Sequence, residues 1–352
     1  MTSMSFDTRA YTNAQTRHIQ EKITSYDGPG YIEFGGKPFG DIHAARVLPG
    51  YNQNCKADIL RALGIVATIV MVVNARDILP EPVGRYPHGR IRGDSGLRYQ
   101  HETIRLIREA LTFGIRVDAA VLAVTPRILD DEDHMRIEDF RASLMCEGIQ
   151  LHRHFEIAGY PAPSILAEKD ALFARNDVVA EAGKHLVVFS PGGGSGKFGV
   201  ILSEIYHAFK RGEAPNFIKF ETFPVFAFSP THPLNLAFEA ATADLANKAV
   251  AVAEGLTSYD KDVENFLLLN DLYRSSCPRL EHPMYKMVHP TDMGVNIVDQ
   301  AISDMPEIIR ACGAEIARRC ARYEDEYSAG EGKADTVARA LAVQREFNQR
   351  YG

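Results

Sequence analysis

The stretch HLVVFSPGGGSGKFGVILSEIYHAF, His185 to Phe209, passes from a strand-like run into a helix-like run. The turn between them packs four glycines, a serine and a lysine into six residues, Gly192–Lys197 if Pro191 is set aside. A strand that feeds a helix so abruptly opens a βαβ unit, and such units demand a parallel sheet covered by helices. The chain repeats the alternation. Strands are expected at Tyr31–Phe34, Ile65–Val73, Ile115–Val124, Ile149–Phe155 and Phe217–Phe220. Helices are expected at about Asn13–Tyr26, Lys56–Leu63, Tyr99–Phe113, Asp133–Cys146 and Leu234–Asn247, and over Pro306–Tyr323 and Ala334–Gln349. Ile104, Ile107 and Leu111 carry helical spacing, and Gly114 and Gly148 are natural stops. The prediction is an α/β fold, a mostly parallel sheet flanked by helices with a helical C-terminal lobe. Three regions follow from it: 1–160, 161–305 with the glycine loop, and 306–352.

Composition narrows the function classes. The 352 residues carry a formal net charge of −7, which argues against a general affinity for nucleic-acid phosphates. Five scattered cysteines form no C-x-x-C pair, so neither a disulfide framework nor a zinc site is indicated. The N-terminus has no apolar signal-like core, and the run Ile65–Val73 is too short to span a bilayer. A cytoplasmic protein with no membrane partner is expected, and a homo-oligomer is left open.

Glycines in the turn let backbone N–H groups converge, and a helix starting at Lys197 offers unpaired amides and a positive dipole end. Gly192, Gly193, Gly194, Ser195, Gly196 and Lys197 therefore form a candidate phosphate site. The match to a P-loop is partial. Pro191 stands where its first glycine would be, and Phe198 where a hydroxyl would bind Mg²⁺. Glu221, ending an apolar strand, is a candidate carboxylate for catalysis or metal.

Other polar residues complete the expected site. His232 is the candidate general acid/base. Asn235, a candidate substrate ligand, and Glu239, a candidate for proton transfer with His232, share a helix face, and Asp244, a further catalytic candidate, lies on another. Lys37, His43 and Arg46, in YIEFGGKPFGDIHAARVLPGY, are candidate substrate ligands, with Lys37 and Arg46 as further phosphate contacts. Arg85, Arg90, Arg92 and Arg98 are read as a basic lid. Thr291, Asp292 and Asn296 sit in a glycine-containing loop, where Asp292 could hold a sugar hydroxyl or simply cap a helix.

The stretches YIEFGGKPFGDIHAARVLPGY, RGDSGLRY, PGGGSGK, KFETFPV, HPLNLAFEAATADL and PTDMGVN resemble, in order, a bacterial family catalogued as domain of unknown function 1846. The resemblance covers roughly Tyr31 to Asp304. It implies an α/β core and a phosphate-loop-like turn whose lysine is followed by neither Ser nor Thr. It also implies relatives with an extra C-terminal domain that this chain lacks.

The expected function is an enzyme acting on a nucleotide or a phosphorylated sugar or nucleoside, by group transfer or cleavage at the phosphorylated sugar. No cofactor is then required. Phosphoryl transfer from ATP is the alternative, and it needs Mg²⁺ on Glu221 or Asp244. A non-enzymatic nucleotide sensor is the third reading.

Overall fold

A computed structural model gives the architecture and describes residues 5–79, 89–92, 95–126, 128–244, 258–330 and 332–352. Seven strands form one sheet: β1 (Gly30–Phe34), β2 (Ala67–Asn74), β3 (Ala119–Thr125), β4 (Gln150–Phe155), β5 (His185–Phe189), β6 (Asn216–Phe220) and β7 (Gly294–Val295). Their order is β4-β3-β2-β5-β1-β6-β7, and every pairing is parallel. The α/β fold with a parallel sheet and C-terminal helices is therefore the one observed.

Both faces are covered, so the central strands alternate between two apolar cores. Ile32, Phe34, Val73, Phe189, Ile218 and Phe220 enter one core, with residues of the helices Thr8–Thr24, Cys55–Leu63, Tyr99–Thr112 and Asp131–Cys146. Tyr31, Val70, Val72, Leu186, Val188 and Phe217 enter the other, with the helices Lys197–Lys210 and Ser258–Ser276. Two buried faces explain why these strands read as continuous apolar runs.

The chain order of the strands creates a crevice. β2 leaves toward β3 through the helix Tyr99–Thr112 on the first face. Its neighbour β5 leaves toward β6 through Lys197–Lys210 on the second. Neighbouring strands whose connections part to opposite faces open a space beyond their carboxyl ends, the usual place for a ligand in open α/β sheets.

The element boundaries read from sequence are close. The helices stop where expected because Gly114 and Gly148 adopt φ of 72° and 74°. The sequence reading misses the helix Ser258–Ser276, the short helix Ile42–Val47 and β7. Regions 1–160 and 161–305 share the single sheet, because β5 and β6 flank β1. The expected helix Leu234–Asn247 is Pro233–Ala241, and residues 245–247 lie outside the described residues.

The C-terminal helices Met305–Ser328 and Ala334–Tyr351 pack on each other, on Pro233–Ala241 and into the first core. An ionic clamp ties the first of them to the short helix Ile42–Val47. Buried Glu315 accepts from Arg318 Nε (2.7 Å) and Arg319 Nε (2.8 Å) and lies 3.4 Å from His43 Nδ1 and 3.8 Å from an Arg46 nitrogen. Burial pushes its carboxyl up. Hydrogen bonds from Arg318 and His43 and the charge of Arg319 outweigh this and hold it well below the usual carboxylate range. The unfolded chain thus binds a proton first as pH falls, and this contribution, present above about pH 4.3, is lost on acidification. Glu315→Gln should lower the urea-unfolding free energy at pH 7 by about 3 kcal/mol, the cost of breaking a buried pair. It should also flatten the decline between pH 5 and 3.

Candidate functional site

On the second face the strands change character at their carboxyl ends. β1 runs Tyr31 then Glu33; β2 runs Val70, Val72 then Asn74. β5 runs Leu186, Val188 and continues to Ser190; β6 runs Phe217, Lys219 and continues to Glu221. These residues have one parity, and Glu33 pairs with Lys219 in the β1–β6 register. The opposite parity stays apolar to the end. The sheet therefore gathers a carboxylate, an amide, a hydroxyl, an ammonium and a second carboxylate beside the crevice.

The glycine loop projects into the same place. Its carbonyls are tied back: Asn74 Nδ2 donates to Gly194 O (2.8 Å), Ser190 Oγ to Gly192 O (2.8 Å), and Arg92 to Pro191 O. Its amides are not. Those of Gly192 through Phe198 donate to no acceptor among the described residues, and no side chain caps the helix at Gly196. Gly196 sits at φ 90°, and a Cβ there would lie 2.9 Å from the Ala123 Cβ, so only glycine lets the loop pack on β3. A loop with its acceptors occupied and its donors open is an anion nest. Buried Lys197 adds an ammonium that donates to Ser190 Oγ at 3.0 Å. Phe198 turns away into the second core, edge-on to Phe217 with ring centroids 5.7 Å apart.

A charge cluster adjoins the nest. Lys197 Nζ lies 3.9 Å from Glu33 Oε1, and Lys219 Nζ bridges Glu221 Oε1 (3.0 Å) and Asp262 Oδ1. Asp262 comes from the helix Ser258–Ser276, as does Asn265, whose Oδ1 accepts from the Tyr160 hydroxyl at 2.5 Å. Burial works against the Lys219 ammonium, but Asp262, Glu221 and Glu33 outweigh it and hold it charged. Burial pulls Lys197 below the usual lysine range against the pull of Glu33 and Glu221. Three carboxylates face two ammoniums, so one carboxyl is favoured to keep its proton. That one is Glu221, which burial pushes up to about 8 against the Lys219 charge.

The other residues singled out from sequence are placed as follows. Lys37 is buried at the end of β1 against Glu102 (2.9 Å), while His43 and Arg46 belong to the Glu315 clamp. His232 caps its helix by accepting from Leu234 N (3.3 Å) and stacks on Phe228, and burial lowers it to about 4. Asn235 bonds to Val225 N and O and to Ser229 O. Glu239 shares its helix with His232 and Asn235, on the first face. Asp244 pairs with Arg90 at 3.0 Å. Thr291 and Asp292 bond around His289 as a helix cap, and Asn296 donates to Pro224 O at 2.6 Å. So the glycine loop and Glu221 meet at the crevice, whereas His232, Asn235 and Glu239 sit across the sheet. Arg85 lies outside the described residues. Among the described residues no group of three or more His, Cys, Asp or Glu could hold a metal; Glu221 and Asp244 each face a cation. Sequence reading passed over Glu33, Lys219, Asp262, Asn265, Tyr160 and Asn74 as site residues. Polar residues of one parity at the ends of apolar strands are the signal that would have found Glu33, Asn74 and Lys219.

A family model described as "Domain of unknown function DUF1846, N-terminal" matches residues 4–348. The chain is 38% identical over 346 residues to a UPF0371 protein of Corynebacterium urealyticum, covering 96% of this chain and 66% of that protein. It is 36% identical over 328 residues to one of Streptococcus equi subsp. equi (91% and 62%) and 34% over 350 residues to one of Clostridium tetani (97% and 66%). The chain thus spans less than two thirds of the length of these curated relatives.

The protonated Glu221 has a stability signature. Its folded state keeps a proton that the unfolded chain releases near pH 4.3, so this contribution falls as pH rises toward 8, by up to about 1.4 kcal/mol per unit. Glu221→Gln should remove that slope between pH 5.5 and 7.5 in urea-unfolding series. An unchanged slope would show that Glu221 is ionised in the folded protein.

Proposed function

We propose that this chain, which belongs to the DUF1846 family, is an enzyme that binds a phosphorylated small molecule, a nucleotide or a phosphorylated sugar or nucleoside. Its chemistry in this reading is group transfer or cleavage at the phosphorylated sugar. One observation carries the proposal: the glycine loop has three of its carbonyls, Pro191, Gly192 and Gly194, occupied and its amides unpaired, above a buried lysine. A dianionic phosphate accepts from several of these donors at once, as at other helix N-termini.

The neighbouring carboxyls supply proton chemistry. Glu221, with its raised pKa, is the general acid, giving its proton to a leaving oxygen. Glu33, 3.9 Å from Lys197, is the base or the anion that stabilises developing positive charge. His232 is left out of the proton transfer, because it caps a helix on the other face. Phosphoryl transfer is the less favoured chemistry, because the position after the lysine is Phe198, packed on Phe217, and offers no hydroxyl to a nucleotide-bound cation. No helix among the described residues is long and apolar enough to cross a membrane, and all five cysteines are free thiols. Both support a cytoplasmic setting.

Thermal-shift titrations should test the reading. Inorganic phosphate, nucleoside monophosphates and sugar monophosphates are each assayed with EDTA. A ligand at about 100 times its Kd adds about 2.7 kcal/mol, which moves the midpoint by a few degrees. At least one phosphate should do so for the native protein, and Lys197→Ala should lose the shift. Stabilisation by ATP only, and only with Mg²⁺, would favour phosphoryl transfer. No shift with any phosphate would overturn the anion nest.

A further inference from the structure

Phosphate alone leaves half of the crevice unsatisfied. Glu33 is more than nine-tenths buried, yet its Oε2 has no hydrogen-bond partner. Oε2 of the partly buried Glu221 and Oγ of buried Ser195 also lack a partner. A buried polar atom without a partner is costly, and native proteins seldom tolerate several together. Gly35 keeps the space beside these carboxyls open: a Cβ there would lie 2.6 Å from Glu221 Cγ and 3.2 Å from its Oε1.

The two halves want opposite partners. The loop amides and Lys197 are donors and take an anion. Glu33, one lysine away, is an acceptor and takes a donor, and protonated Glu221, whose Oε1 is on Lys219, has its Oε2 hydroxyl left to donate. The positive charge that the carboxylates need is already present, since Lys197 lies 3.9 Å from Glu33 and Lys219 bonds Glu221 and Asp262. What is missing is a hydrogen-bond donor to Glu33 and an acceptor for Glu221, and neutral hydroxyls supply both without adding charge. A second phosphate running on from the first would face the Glu33 carboxylate and be repelled.

Resting on the phosphate reading above, we propose that the substrate is a sugar or polyol monophosphate, with phosphate on the Gly192–Phe198 amides and Lys197 and hydroxyls near the phosphorylated carbon donating to Glu33 and accepting from the protonated Glu221. Glu33 is thereby the residue that distinguishes such a substrate from phosphate itself and from di- and triphosphates.

Isothermal titration of the full chain with four probes tests this: inorganic phosphate, a pentose 5-phosphate, phosphoethanolamine and ADP. The pentose phosphate should bind at least tenfold more tightly than each of the others. Glu33→Gln should weaken it ten- to a hundredfold, while the affinity for inorganic phosphate does not fall, since a negative charge beside Lys197 is removed. Equal affinities for pentose phosphate and inorganic phosphate in the native protein would overturn the hydroxyl assignment while leaving the phosphate nest standing. Tighter binding of phosphoethanolamine would replace hydroxyls by an ammonium, and tighter binding of ADP would reject the monophosphate. Binding of none of the four would overturn the phosphate reading itself. The native-protein ratios decide the matter even if Glu33→Gln does not fold.

Discussion

An ammonium shut away from water has to be surrounded by carboxylates, and Lys219 is such a group. It bonds Glu221 two residues along β6 and Asp262 on the helix Ser258–Ser276, and it sits in register with Glu33 on β1. One charge therefore joins two central strands to the helix that roofs the second face. Hydrophobic packing alone would cover that face without fixing where the helix lies along it. The ion cluster fixes it, because removing Lys219 or Asp262 leaves the partner charged and buried, at a cost of about 3–5 kcal/mol. The same cluster makes the crevice polar, so the device that positions the roof also creates the chemistry beneath it.

The two glycine turns beside the cluster obey one rule. After β1, buried Lys56 donates to the carbonyls of Gly35 (2.9 Å) and Lys37 (3.1 Å). After β5, Asn74, Ser190 and Arg92 occupy carbonyls of the long glycine loop. In each turn side chains take the acceptors. In the second the donors are left over, and the helix behind them adds the end of its dipole. Phe198 then makes sense. A hydroxyl there would serve a nucleotide-bound cation, whereas an aromatic ring on Phe217 and near Tyr160 anchors the helix start to the sheet.

Much of this fold was legible because apolar strands and glycine-stopped helices leave strong local patterns. The helix Ser258–Ser276 was not, for a physical reason. Its buried side carries Asp262, Asn265 and Asn270 among Phe266, Leu269 and Tyr273, so the apolar stripe that betrays a helix is broken by the residues that build the site. The site was half legible. The glycine loop announces itself by composition, and Glu221 by its place at a strand end. Glu33 and Lys219 meet only because β1 and β6 are neighbours, and β5 enters between β2 and β1 from far along the chain. Residue type misled where it was used alone. His232, chosen for its ordinary pKa, is a half-buried cap lowered to about 4, and His43 and Arg46, chosen as cationic ligands, clamp Glu315.

The arginines read as a lid have a more specific place in this arrangement. Arg90 pairs with Asp77 (3.5 Å) and Asp244 (3.0 Å), and both Arg90 and Arg92 lie over the Tyr99 ring. So anchored, Arg92 reaches the Pro191 carbonyl, and a Cβ on Gly192 would collide with its guanidinium. A side chain at the first glycine of the loop would thus have to push the Arg92 guanidinium aside. Turning one carbonyl toward Arg92 turns the following amide away from it, since the two are fixed on opposite sides of a planar peptide. The basic segment therefore sets the direction of the loop's donors, and its arginines act on an anion through the backbone they hold.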